Sequence, residues 1–192
     1  MHYQRIVFVH QYPVVDRFVQ HLICYRAFTN AYRGRHQNPF WQVTIEAHLF
    51  AATNNWCKVF GSDRCNPMHW KQLSLNERER LAQSFREGLF QEIGLDAKHW
   101  RRYWKSMIKF RNKFVAHREL HFLDPVPNFD TALNVAYYYD KWVREIISPD
   151  ILHGPSLESI ARDYDHKVTP LAAKLLRATE EFIGHDSYFG FR

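Results

Sequence analysis

The sequence predicts an all-α protein, an irregular bundle of helices that forms one domain over residues 1–192. Apolar side chains recur at steps of three and four residues along most of the chain, the period of a helix that buries one face. Glycine is scarce, with 7 among 192 residues, which disfavours a turn-rich β-sandwich. A length of 192 residues suits one domain, since domains hold about 150 residues on average.

The N-terminal half is predicted to begin with two long helices. Residues 6–9 form the only segment with the pattern of a strand fragment, and Pro13 then begins a helix that continues to about residue 33. The pair Asn38-Pro39 combines a capping residue with a proline, the usual start of a helix. The apolar stripe that follows this pair ends at Gly61.

Two further helices are predicted in the middle of the chain. Ser74 and Glu77 have the spacing of a capping box, and the apolar stripe after them ends at Gly94. Asp96 is placed to cap the next helix, which is predicted to run to about Leu120.

The last helices are separated by prolines. Asp130 begins a helix that extends to about residue 147, and Ser156 begins another. The pair Thr169-Pro170 predicts a restart of the helix, which then continues to about residue 184. We therefore expect a core domain over about residues 13–147 and C-terminal helices over about residues 155–184.

The composition restricts the partners and the location of the protein. Lys and Arg outnumber Asp and Glu by 26 to 20, and a net charge of +6 favours anionic partners, with nucleic acid first. Three cysteines fit no disulfide framework, which indicates a reduced, cytoplasmic protein. No apolar run approaches the roughly 18 residues that a membrane span needs, so no membrane association is expected.

The most informative helix is the basic segment over residues 98–118. It contains eight Lys or Arg residues and no acid. When its residues are placed at steps of about 100°, one half of the helix is apolar and most of the cations lie on the other half. Arg111 and His117 depart from this pattern, because they lie about 60° to either side of Phe114 on the apolar half.

These two residues suggest either a structural or a catalytic role. A buried guanidinium must find an anion, which is either a carboxylate of another helix or a phosphate of a ligand. In the structural reading Arg111 forms an ion pair and His117 is a hydrogen-bonded core histidine. In the catalytic reading the arginine binds a phosphate and the histidine transfers a proton, which are the groups that RNA cleavage requires.

The segment over residues 111–117 resembles the Arg-(four to six residues)-His signature of the HEPN domain family, particularly its abortive-infection type. The resemblance implies an all-α fold and a homodimer whose two motif helices face each other across a cleft. It also implies a metal-independent endoribonuclease that leaves a 2′,3′-cyclic phosphate.

The resemblance implies that Arg111 binds the scissile phosphate of the RNA and that His117 acts as the general base or acid. Asn112 occupies the polar position that often follows the arginine in the family. In a regular helix Asn112 points about 160° away from Phe114, so its participation requires a distorted helix. The neighbouring cations expected to contact RNA are Lys109, Lys113 and Arg118.

Two alternatives compete with this hypothesis. His117 and His121 are four residues apart, a spacing that suits a metal ion, but no third ligand is evident, so no metal and no cofactor are predicted. The favoured function is an endoribonuclease of a toxin–antitoxin or phage-defence system, with RNA and a cognate antitoxin protein as partners. The alternative is a catalytically inactive HEPN-like module that serves dimerisation or partner binding.

Overall fold

The computed structural model describes residues 3–33, 38–74, 76–117, 124–147 and 154–183. These ranges contain six α-helices and no strand, which confirms the predicted all-α class. The helices are α1 (Arg5–Tyr32), α2 (Pro39–Phe60), α3 (Arg78–Ile93), α4 (Ala97–Phe110), α5 (Phe129–Ile147) and α6 (Leu157–Ile183). A 3₁₀ turn (Trp70–Leu73) precedes α3, and α4 continues into a π-helical turn (Arg111–Ala116).

Helix α1 lies at the centre of the bundle. It packs along α2 on one side and along α6 on the other, and it also contacts α5 and the 3₁₀ turn. Helix α3 packs against α5, and α4 and the π turn both contact α2. All six helices contribute to the largest fully buried side chains, which include Phe18, Trp56, Phe85 and Tyr139.

Most of the local start and stop signals agree with the structure, but the predicted helix start at Ser74 is wrong, because α3 begins at Arg78. The Asn38 side chain accepts a hydrogen bond from the Phe40 amide at 2.9 Å, and α2 begins at the proline between them. The Asp96 carboxylate accepts from the His99 amide at 2.7 Å and so caps α4. Gly94 ends α3 with a φ of 64°, in the left-handed region that glycine adopts without strain.

The predicted strand fragment and the predicted start at Pro13 are wrong, because α1 begins at Arg5 and includes both. Pro13 cannot donate to the carbonyl of Val9, four residues earlier. Both residues are exposed, so water can satisfy that carbonyl. Phe8 is buried, and the buried Gln11 side chain donates to the His69 carbonyl at 2.8 Å; these tertiary contacts hold the first turns of α1 in place.

The predicted restart at Thr169-Pro170 is also wrong, since α6 is one continuous helix. Pro170 is exposed, as is His166, whose carbonyl loses its intrahelical donor. Val168 and Ala172 are buried on either side of the proline. The hydrophobic core extends on both sides of residues 13–147, because it includes Phe8 in α1 and several residues of α6.

A buried carboxylate joins three helices. Asp140 of α5 accepts hydrogen bonds from the Tyr12 hydroxyl at 2.7 Å, from Arg144 Nε at 2.9 Å and from the Leu157 amide at 2.9 Å. Asp140 therefore connects α1 and the start of α6 to α5 at one point in the core.

None of the six described helices combines the length and the apolar character that crossing a membrane would require. Over the same part of the chain, no three His, Cys, Asp or Glu side chains are grouped so that they could bind one metal ion.

Candidate functional site

The basic helix α4 is held against the end of α2 by a tryptophan. The indole Nε1 of Trp104 donates to the carbonyl of Phe60 at 2.8 Å and to that of Gly61 at 3.2 Å. Carbonyls at a helix C-terminus have no intrahelical donor, so this side chain supplies one. Met107 and Phe110 are buried on the same helix, as the amphipathic pattern predicts.

Regular α-helical hydrogen bonding ends at Phe110, whereas the sequence predicts one helix to about Leu120. Residues 111–116 form a π-helical turn instead, and the His117 amide donates to the Asn112 carbonyl, five residues earlier, at 3.1 Å. Phe110 and Phe114 stack across the junction with ring centroids 5.0 Å apart. Such π turns inside helices often mark functional sites. The part of the predicted helix from residue 118 onward lies outside the described residues.

Arg111, the first residue of the π turn, is half-buried with its guanidinium beside the thiol of Cys57. Burial raises the pKa of this thiol to about 12, although the charge of Arg111 acts in the opposite direction. The Nε atom of Arg111 is fully buried and has no hydrogen-bond partner among the described residues. A buried guanidinium nitrogen without an acceptor is energetically unfavourable unless a ligand supplies one.

The structural reading of Arg111 requires a carboxylate nearby. Within the described ranges, no Asp or Glu oxygen lies within 4.0 Å of its guanidinium nitrogens. The sequence alone allows an ion pair between Arg111 and a carboxylate. No such ion pair forms among the described residues.

Arg111 lines a cavity of about 350 Å³, which we call the Arg111 cavity. Two further cations, Lys58 of α2 and Arg64 of the loop after α2, line it as well, and none of the described residues in its lining is acidic. Neutral polar side chains complete the lining, among them Asn54, Ser62 and Asn66. Three cations with neutral hydrogen-bonding groups and no carboxylate make a suitable environment for an anion.

The loop that carries Arg64 is ordered by one asparagine. The Asn66 amide group donates to the Lys58 carbonyl at 2.8 Å and to the Ser62 carbonyl at 3.1 Å, and its oxygen accepts from the Met68 amide at 3.0 Å. Cys65 has a φ of 53°, an unusual conformation for a residue other than glycine. These bonds hold the strained loop beside Arg111.

His117 lies at the other end of the π turn and is exposed. It is not among the residues that line the Arg111 cavity. The structure thus places the two motif residues on one turn but does not bring them into that cavity within a single chain.

The remaining predicted site residues have different surroundings. Asn112 and Lys113 are half-buried on the π turn, and the Asn112 carbonyl is the acceptor described above. Lys109 forms a surface ion pair with Asp124. Arg118, the third predicted RNA contact, lies outside the described residues, as does His121.

Sequence reasoning missed Lys58 and Arg64. The only signal in the sequence is that the loop after α2 is rich in turn-forming Ser, Asp and Asn, which indicates an ordered loop without showing what it faces.

Comparisons with models of protein families, with curated proteins and with solved structures find no match to this chain.

Proposed function

We propose that this chain is a metal-independent endoribonuclease of the HEPN type that acts in a toxin–antitoxin or phage-defence system. The observation that carries the proposal is the environment of Arg111: a half-buried guanidinium with an unsatisfied Nε, in a cavity whose described lining contains two more cations and no acid. This is the environment that a phosphodiester requires. The HEPN assignment itself rests on the resemblance of the motif and on the helical fold.

The chemistry follows from the residue types. A base removes the proton of the ribose 2′-OH, the 2′-oxygen forms a bond to phosphorus, and the bond to the 5′-oxygen breaks as that oxygen is protonated. The products are a 2′,3′-cyclic phosphate and a 5′-hydroxyl. Arg111 would neutralise the charge that builds on the phosphoryl oxygens, and His117 would act as general base or acid.

The position of His117 suggests how the site is completed. Because it is exposed and outside the cavity of its own chain, we propose that a homodimer brings the His117 of one subunit toward the Arg111 cavity of the other. Asn112 and Lys113 would lie at the rim of this shared cleft. Lys109 would have to leave Asp124 before it could contact RNA.

The decisive experiment is incubation of the purified full-length protein with total RNA in the presence of EDTA. We expect cleavage to persist and the new ends to be 2′,3′-cyclic phosphates, detected as end groups that resist phosphatase until acid treatment has opened the ring. His117→Ala should lower the rate by about 10² to 10⁴-fold. Lys105→Ala is the matched control, since Lys105 is an exposed cation on α4. An absolute requirement for Mg²⁺ or Zn²⁺ would overturn the proposal.

One observation favours the alternative function, a catalytically inactive HEPN-like module for dimerisation or partner binding. Leu171 and Leu175 of α6 are 51% and 41% exposed, and they lie on one face of the helix, four residues apart. A protein partner such as an antitoxin could cover this face. Unchanged cellular toxicity in a folded His117→Ala protein, or the absence of RNA cleavage by the unaltered protein, would favour this alternative.

A further inference from the structure

A second cavity of about 610 Å³ lies beside the loop after α2, and we call it the tryptophan cavity. It is lined by residues from the end of α2, the 3₁₀ turn, α3 and the first turns of α4. Its volume falls within the range of about 300 to 1,000 Å³ that is typical of small-molecule sites. Nothing in the proposed cleavage reaction uses it.

The interior of the tryptophan cavity is aromatic. Trp70 and Phe85 are buried and stack with ring centroids 4.1 Å apart and ring planes 28° from parallel. Phe90, Trp100 and Trp104 also line the cavity and are only half-buried. Aromatic rings that are part-exposed inside a cavity favour a flat, unsaturated ligand that can stack on them.

Its rim is positively charged. Arg86 of α3 and Arg101 of α4 line the cavity and are exposed, and within the described ranges neither has a carboxylate within 4.0 Å. The remaining charges largely offset one another, because Lys71 forms an ion pair with Asp63 at 2.7 Å. Two cations without an ion-pair partner beside an aromatic interior favour an anionic group attached to the flat ligand.

The walls are held in place without a ligand. The hydrogen bonds from Trp104 to the end of α2 fix its ring, and the buried ring of His69 accepts from the Lys71 amide at 3.2 Å. Because these side chains are already fixed, binding a ligand costs little conformational entropy, and the affinity is correspondingly higher.

We infer that the tryptophan cavity binds a nucleotide, with the base stacked among the tryptophans and the phosphate at Arg86 and Arg101. The aromatic faces match the base of this ligand, and two guanidinium groups without a carboxylate among the described residues match its phosphate. A free mononucleotide and one residue of a single-stranded RNA both contain this base and this phosphate.

The position of the tryptophan cavity favours single-stranded RNA, and not a free mononucleotide, as the molecule that supplies the bound nucleotide. Gly61 and Asp63 line the tryptophan cavity, whereas Ser62 and Arg64, from the same short segment, line the Arg111 cavity. Trp104 precedes Arg111 by seven residues, so their backbones are about 10 Å apart along a helix. A single strand with one base in the tryptophan cavity would therefore have a nearby phosphate within reach of Arg111. The inference that the bound nucleotide belongs to an RNA strand rests on the proposed function.

The test measures binding by quenching of tryptophan fluorescence and by calorimetry with the full chain. The ligands are AMP, UMP, adenosine, inorganic phosphate and an uncleavable 2′-O-methyl RNA hexamer. We expect a mononucleotide to bind at least tenfold more tightly than the nucleoside or phosphate alone. Arg86→Gln combined with Arg101→Gln should weaken mononucleotide and hexamer binding at least tenfold. Tenfold tighter binding of the hexamer than of the mononucleotide identifies RNA as the source, and the reverse identifies the free nucleotide.

The matched control is Lys98→Gln combined with Lys105→Gln, which removes the same charge from exposed positions of α4 that do not line the cavity. Equal losses in the two double variants, or no mononucleotide or hexamer binding at millimolar concentration, would overturn the inference. Because all four residues are exposed, circular dichroism should show unchanged folding.

The proposed ribonuclease activity and the proposed nucleotide site can each be refuted without refuting the other. Nucleotide binding that depends on Arg86 and Arg101, without any RNA cleavage, would leave the cavity assigned and refute the nuclease. Cleavage with normal binding in the Arg86→Gln, Arg101→Gln protein would refute the nucleotide site alone.

Discussion

The Nδ1 atoms of His21 and His48 lie 3.0 Å apart between α1 and α2, within hydrogen-bond distance. One ring must donate and the other accept, so at least one imidazole has to be neutral. Burial lowers the pKa of both rings; the charge of Arg17 lowers that of His21 further, and His21 does the same to His48. The folded protein therefore favours the uncharged pair.

This pair leads to a prediction of acid sensitivity. The pKa of the buried His69 is also lowered, to about 4, mainly by burial. Below pH 6.5 the unfolded chain binds more protons at these three histidines than the folded chain does, so the free energy of unfolding falls as the pH is lowered. His69 alone should remove about 2 kcal/mol between pH 7.5 and pH 5. Urea unfolding across this range measures the loss.

His48→Phe isolates the contribution of the pair. The phenyl ring would pack beside Phe28, whose ring centroid lies 5.6 Å from that of His48, and it cannot bind a proton. We expect a shallower loss of stability between pH 7 and pH 5 in this variant. His166→Gln, at an exposed position of α6, should leave the pH dependence unchanged. Identical pH profiles for His48→Phe and the unaltered protein would contradict the prediction.

Asp140→Ala should be strongly destabilising. The substitution removes three hydrogen bonds at a residue that is 2% exposed, and it leaves the Arg144 guanidinium without its buried carboxylate. Breaking such a buried pair lowers the free energy of unfolding by about 3 to 5 kcal/mol. Chemical denaturation measures the change, with the exposed Glu145→Ala on the same helix as the control. A loss no larger than that of the control would show that Asp140 does not join the helices.

Substitutions of Arg111 should separate activity from stability. Arg111→Ala is expected to lower the cleavage rate at least as much as His117→Ala, and Arg111→Lys should restore little, because an ammonium group lacks the planar fork of the guanidinium. Arg111→Met should keep the free energy of unfolding within about 1 kcal/mol or raise it, because it removes a buried nitrogen without an acceptor. Destabilisation of several kcal/mol by Arg111→Met would instead indicate a structural role.

The shared site predicts a homodimer and complementation between subunits. Light scattering at micromolar concentration should give twice the mass of the 23.1 kDa chain. Mixed dimers of an Arg111→Ala chain and a His117→Ala chain would retain one intact site, with the arginine from one subunit and the histidine from the other. We expect them to recover activity that neither parent dimer has. A monomeric mass, or mixed dimers as inactive as the parents, would refute the shared site.

Much of the local structure was predictable from short stretches of sequence. Asn38 and Asp96 cap their helices as their positions predict, and Gly94 ends α3. Capping depends on hydrogen bonds between residues two or three positions apart, so the necessary information lies within one turn. The buried face of α4 was predictable for the same reason, since the helical period alone determines which residues share a face.

The two prolines inside helices were not predictable in this way. A proline costs a helix one hydrogen bond, which favours a break when only the local sequence is considered. Pro13 and Pro170 remain inside helices because exposed carbonyls can bond to water, while buried neighbours such as Phe8 and Val168 keep the helix packed on both sides. The balance depends on contacts that distant segments supply.

The sequence by itself determined the helical class, several of the helix caps and the buried face of α4, because each depends on spacing along the chain. Only the tertiary structure decided that Arg111 shares a cavity with Lys58 and Arg64, with no carboxylate of the described residues beside it, and that His117 does not line this cavity. Lys58 and Arg64 lie about fifty residues before Arg111, and no periodicity in the sequence encodes that approach. It follows from the packing of α4 against the end of α2, where one tryptophan satisfies the terminal carbonyls.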